Sequence, residues 1–179
     1  MKLAKIKFYL KRLYRISLSH KKYESLVWED LKKLHVLEGW SSGVFEKERY
    51  IETTFEIEKE KLATFFYMIY DDFFHCRTRV VENYPEDLTT DIFILASHFN
   101  NVLNKGIVVV NVHKQHIEYN LQKELLVPLL YSGEIRETLI RHYNISKDIH
   151  SGFQRLIEEN EAPAIIIADL LKKNDEKEQ

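Results

Sequence analysis

Within "NKGIVVVNVHKQHIEYNL", Asn104 to Leu121, two imidazoles and a carboxylate stand close together: His113, His116 and Glu118. Such a set is raw material for a zinc site, which takes three or four converging nitrogen, oxygen or sulfur ligands. The spacing argues otherwise. The stretch reads as a hairpin, "IVVVNV" against "HIEYNL", with Ile117, Tyr119 and Leu121 alternating, and residues three apart in a strand project to opposite sides. His116 and Glu118 share a face that His113 does not, and no nearby cysteine or acid completes a set. The histidines are therefore expected to be polar turn residues, and no metal or other cofactor is predicted.

Asp71, Asp72 and Glu82 bracket another predicted strand and are the raw material of a carboxylate pair, one with a raised and one with an ordinary pKa. Their places at strand ends suit turns and solvation better. Cys76 falls on the apolar parity of that strand beside Phe74 and Thr78, where a thiol acts as a small hydrophobe and no basic residue on the same face would activate it. His98 and His142 lie in predicted helices without a partner at triad-like spacing, and both are expected on helix surfaces. "YSGEI" and "NKGIV" hold one glycine each, so no phosphate loop is present. No catalytic residue is assigned, and the chain is read as non-enzymatic.

The elements that would position these groups follow from periodicity. Leu3, Ile6, Leu10 and Leu13 form one helical stripe; after a break near Ser17–Ser19, Tyr23, Leu26, Val27, Leu31 and Leu34 form another that Gly39 ends. "YIETTFEIE" alternates strictly, with Ile51, Thr53, Phe55 and Ile57 on one side. "LATFFYMIY" is apolar on both parities, the pattern of a strand covered on both faces. "FFHCRTRVV" alternates again. "NYPEDLTTDIFILASHFNNVLNKG" is a helix: Pro85 and acids precede it, Ile92, Leu95, Ala96, Phe99, Val102 and Leu103 are helically spaced, and Gly106 follows. Beyond the hairpin come short helices marked by Ile135, Leu139, Ile140 and Tyr143, then by Ile149, Phe153, Leu156 and Ile157 with Ser146 as a cap, then by "APAIIIADLL". Antiparallel runs of strands separated by a helix give an α+β class: a sheet of about five strands, a three-strand meander, a helix and a two-strand hairpin, packed with helices.

The chain has 179 residues, 45% of them hydrophobic and 30% charged, with net charge −2 and a pI near 6.5. That is enough for one domain burying roughly two thirds of its unfolded surface. The expected organisation is an N-terminal helical segment over residues 1–45, a single α+β domain over 46–172 and a polar tail over 173–179, frayed. A lone cysteine, no uninterrupted apolar leader and no window near the roughly 18 apolar residues that suggest a membrane span give the expectation of a cytoplasmic protein. The charge is uneven, because Lys2, Lys5, Lys7, Lys11, Arg12, Arg15, Lys21 and Lys22 all precede the first acid, Glu24. The six within the first helix are possible contacts for an anionic partner, nucleic acid or a membrane surface, although a helix docked on its own fold or on a dimer mate is the plainer reading.

In element order, in the helix ending "HFNNVLNKG" before a strand pair and in the closing run "EIRETLIRHYNISKDIHSGFQRLIEENEAPAIIIADLL", the chain resembles the YbjN-like family, whose domain is related in fold to the type III secretion chaperones. The resemblance covers about Tyr50 to Leu171. It implies a small bacterial α+β protein, usually a homodimer, that acts by binding other proteins and carries no catalytic residues.

Surplus apolar surface points the same way. Phe65, Tyr67 and Ile69 lie on the parity opposite Phe66 and Met68, and helices on one side of a sheet cannot cover both sets. Phe65, Tyr67 and Ile69 are therefore the predicted contacts for an unidentified protein partner or a second copy, in the manner of a chaperone or adaptor. An enzyme using the histidines and acids, and a nucleic-acid or membrane binder working through the first helix, are the alternatives.

Overall fold

The computed structural model describes residues 2–70, 72–125 and 132–178, with side chains for 6–70, 72–125 and 133–172. Two helices, α1 (Lys2–Ile16) and α2 (His20–Leu37), precede strands β1 (Ser42–Phe45), β2 (Tyr50–Glu58), β3 (Lys61–Tyr70) and β4 (Phe73–Val81). A 3-10 turn at Glu86–Leu88 leads into α3 (Thr89–Val102), and β5 (Ile107–Asn111), β6 (His116–Glu124), α4 (Ser132–Glu159) and α5 (Pro163–Glu178) follow. The strands form one antiparallel sheet in the order β1-β2-β3-β4-β6-β5. The α+β class holds with six strands, since "SGVF" after the Trp40 loop pairs with β2 as an edge. Four residues including a glycine are too few to show alternation. This strand joins the sheet, and Val27, Leu31 and Leu34 of α2 join the core.

Helices cover one face of the sheet. Ile51 from β2, Phe65, Tyr67 and Ile69 from β3, Phe74 and Cys76 from β4 and Ile117, Tyr119 and Leu121 from β6 are all buried there. Val27, Leu31 and Leu34 of α2 and Ile135, Leu139, Ile149, Phe153 and Leu156 of α4 complete the layer, with Ile92, Leu95 and Phe99 of α3 and Ile166 of α5 beyond. At about 25 cal/mol per Å² of apolar area, such burial is the main favourable contribution to folding.

The closing helices differ from expectation. Residues 132–159 form one continuous helix, α4, and α5 runs on to Glu178, into the tail expected to fray. Ser146 caps nothing: its buried hydroxyl donates to the His142 carbonyl at 2.8 Å, one turn back within α4. With the break removed, Leu139, His142, Ser146, Ile149 and Phe153 follow at spacings of three and four on one buried stripe. His142, expected on a surface, is therefore fully buried. Its ring stacks on Tyr119 (5.1 Å, 19°) and meets Phe65 edge-on at 5.7 Å. Burial holds the imidazole down to about 3, against an ordinary 6.5, opposed only by the Tyr119 carbonyl. His35 of α2, between Trp40 and Tyr67, is likewise lowered by burial.

The α3–β5 junction depends on Gly106, whose φ of +78° is in the left-handed region. A Cβ there would lie 2.6 Å from the Tyr119 hydroxyl and 2.7 Å from the Asn120 carbonyl oxygen. Tyr119 uses that hydroxyl to donate to the Lys105 carbonyl at 2.9 Å. Gly39, after α2, has φ +68° but open space around it.

Two outcomes are expected. Gly106→Ala combines backbone strain with a backbone clash and lowers stability by about 3 kcal/mol, whereas Gly39→Ala adds strain alone and costs about 1 kcal/mol; equal losses in urea titrations would contradict the crowding at Gly106. The depressed His142 means that the unfolded chain takes up its proton first as pH falls. Stability is thus fully developed above about pH 6.5 and declines toward pH 3 by about 1.4 kcal/mol per pH unit for this residue. His142→Phe removes that part of the slope, and an unchanged slope would contradict burial of the neutral ring.

Candidate partner-binding face

Side chains alternate across a pleated strand, so each residue of the sheet faces either the helices or the opposite side. No helix lies over that opposite side among the described residues, and strand register arranges its side chains in rows. One row runs Phe45, Tyr50, Met68, His75 and Gln122; the next runs Glu52, Phe66, Arg77, Asn120 and Ile107; Tyr70, Phe73 and Glu124 form a third. Phe45 and Tyr50 stack at 4.2 Å with their planes 10° apart. The Arg77 guanidinium lies 5.1 Å over the Phe66 ring, and Phe73 meets His75 at 5.9 Å. Phe45, Leu62, Tyr70 and Ile107 are exposed, and Tyr50, Phe66, Met68 and Phe73 are half-buried by one another. The result is an uncovered apolar face with a cationic centre.

The prediction that Phe65, Tyr67 and Ile69 contact a partner is corrected by their positions. They are 0%, 0% and 2% exposed, beneath α2 and α4. The sequence separates the two parities of β3 but does not show which one the helices take. The register settles it: β3 pairs with β2, whose Ile51, Thr53 and Ile57 are buried, and the buried residues of β3 lie on that same side. Phe66, Met68 and Tyr70 are the residues left on the open side.

The other sequence candidates do not assemble. His113 is exposed in the turn as expected, whereas His116 is the buried first residue of β6, 3.2 Å from Glu118 on its own face, with Arg79 3.9 Å from the same carboxylate oxygen. Asp71 lies outside the described residues. Asp72 pairs with His20 of α2, and Glu82 pairs with Arg79 at 2.9 Å, so the two acids are separately engaged. Cys76 is buried, and burial pushes its thiol up, away from reactivity. Among the described residues no three histidines, cysteines or acids gather as metal ligands would.

In α1, Lys7 and Lys11 are exposed, Arg12 is half-buried and Arg15 is buried in an ion pair with Asp30 of α2. The side chains of Lys2, Lys5 and Leu3 lie outside the described residues. The apolar stripe does not dock on the chain's own fold: Ile6, Leu10 and Leu13 are all exposed. Sequence reasoning also missed the buried polar groups His35, His142 and His150. His150 spans from the Val80 carbonyl at 2.6 Å to Glu58 at 3.2 Å. The three- and four-residue spacing of His142, Ser146 and Ile149, read without a break, is the signal that finds His142.

No family profile and no curated protein matches the sequence. Solved structures that share its fold include two from different proteins. YbjN from E. coli, a proposed transcription regulator, superposes with a TM-score of 0.52 at 5% identity over 68% of this chain and 86% of its own. The ExsC-ExsE complex gives 0.51 at 15% identity, over 74% of this chain and 94% of the matched one. With its six-stranded antiparallel sheet covered on one face, the chain shares the fold of these two structures.

Proposed function

We propose that the protein is a non-catalytic, chaperone- or adaptor-like binder of another protein, acting in the cytoplasm through the open face of its sheet. The observation that carries this reading is the uncovered row of Phe45, Tyr50 and Met68, flanked by Phe66 on one side and by Tyr70 and Phe73 on the other. Aromatic residues and methionine are enriched at interface cores, and here they surround Arg77, a second interface-prone type. That one solved structure of this fold is a complex of two proteins supports the reading. A non-enzymatic role fits the dispersal of the reactive groups: His142 and Cys76 lie in the core, and His116 faces Glu118. The homodimer belongs to the same proposal, with a second copy of the chain as one occupant of this face.

A photo-crosslinker in place of Tyr70 is expected to capture a discrete protein, or a second copy, whereas one in place of Val36, exposed on α2, captures neither. With that protein purified, Met68→Glu and Tyr70→Glu each lower affinity about 30-fold, corresponding to about 2 kcal/mol for an interface hot spot. Equal capture at both positions, or unchanged affinity in both variants, overturns the assignment of the face.

A further inference from the structure

On α1, successive residues turn by about 100°, which places Ile6, Tyr9, Leu10, Leu13, Tyr14 and Ile16 within about 160° of arc. These six side chains are between 57% and 63% exposed. Arg15 projects from the opposite side, where it is buried against Asp30. The helix is thus held to the body by its basic side and turns its apolar side outward, the reverse of a helix docked on a core. Lys7 and Lys11 border one edge of the apolar arc and Arg12 the other. No acid occurs before Glu24.

We propose that α1 is an interfacial helix that lays its apolar arc into an anionic membrane surface. Charge decides among the occupants. A second copy of α1 would set cations against cations with no acid to compensate. Nucleic acid would need the basic side outward, and Arg15 faces inward. A bilayer of anionic lipid suits both features at once: Ile6, Leu10 and Leu13 enter the acyl boundary, the tyrosine rings sit at headgroup depth, and Lys7 and Lys11 extend to the phosphates. No described helix is long and apolar enough to cross a membrane, so the helix lies on the surface. This site is separate from the open sheet face and stands without it.

The test is co-sedimentation of the full chain with vesicles of phosphatidylcholine alone or mixed equally with phosphatidylglycerol. Binding to the mixed vesicles and not to the neutral ones is expected. Lys7→Ala with Lys11→Ala lowers the partition coefficient about 25-fold, at about fivefold per surface cation, and Leu10→Asp with Leu13→Asp abolishes binding while circular dichroism confirms an unchanged fold. Failure to bind the anionic vesicles at low salt overturns the proposal, as does binding that survives the two aspartates. It is also overturned by a dimer in light scattering that those aspartates dissociate, or by duplex DNA binding that lysine removal weakens and the aspartates leave intact.

Discussion

One-sided coverage of a pleated sheet constrains the whole molecule. Because the helices lie on a single face, alternation assigns every strand residue either to a dry layer beneath them or to a surface that the fold leaves bare. Ile51, Phe65, Tyr67, Phe74, Ile117 and Tyr119 belong to the first set, and Tyr50, Phe66, Met68, His75 and Glu118 to the second. In an ordinary antiparallel sheet of this kind the second set is polar. β2 obeys that rule with Glu52, Thr54 and Glu56, while β3 departs from it with Leu62, Phe66, Met68 and Tyr70. That departure in a central strand makes the open face apolar where it would otherwise be polar.

The fold was legible wherever the pattern had a single interpretation. β2 and β4 alternate cleanly, α3 carries cap signals at both ends, and the β5–β6 hairpin announces itself. β3 was legible as a strand but not in its orientation, because both of its parities are apolar and only pairing with β2 distinguishes them. Ser146 suggests a helix start because serine favours such positions, but inside a helix its hydroxyl can instead donate a hydrogen bond to the carbonyl one turn back. A start at Ser146 separates His142 from Ile149 and Phe153, whose buried stripe it shares in the continuous helix. β1 was invisible because a short edge strand is held by its neighbour's backbone rather than by its own side chains.

The core is not purely apolar, and its polar members connect layers. The buried His150 ring of α4 reaches the Val80 carbonyl of β4 at 2.6 Å, and at the exposed edge of the core the Tyr143 hydroxyl donates to the Glu56 carbonyl of β2 at 2.6 Å. These bonds tie one long helix to different strands, and the buried one is the costlier to lose, because a buried polar group left unpartnered costs about 1–3 kcal/mol. At the other extreme, α1 turns Ile6, Leu10 and Leu13 to the outside while Arg15 on its opposite side pairs with Asp30 of α2.

Asn100 of α3 accepts from the Val108 amide at 2.7 Å and donates to the Val108 carbonyl at 3.0 Å, which occupies the outward backbone groups of Val108 in β5 with a side-chain amide. An unpaired strand margin is a template for further strands, and here one margin is interrupted at Val108 while the other, β1, has only four residues. Growth of the sheet by an incoming extended peptide is therefore directional: it is obstructed beside β5 and open only over a short span beside β1, which disfavours runaway stacking of copies into fibres.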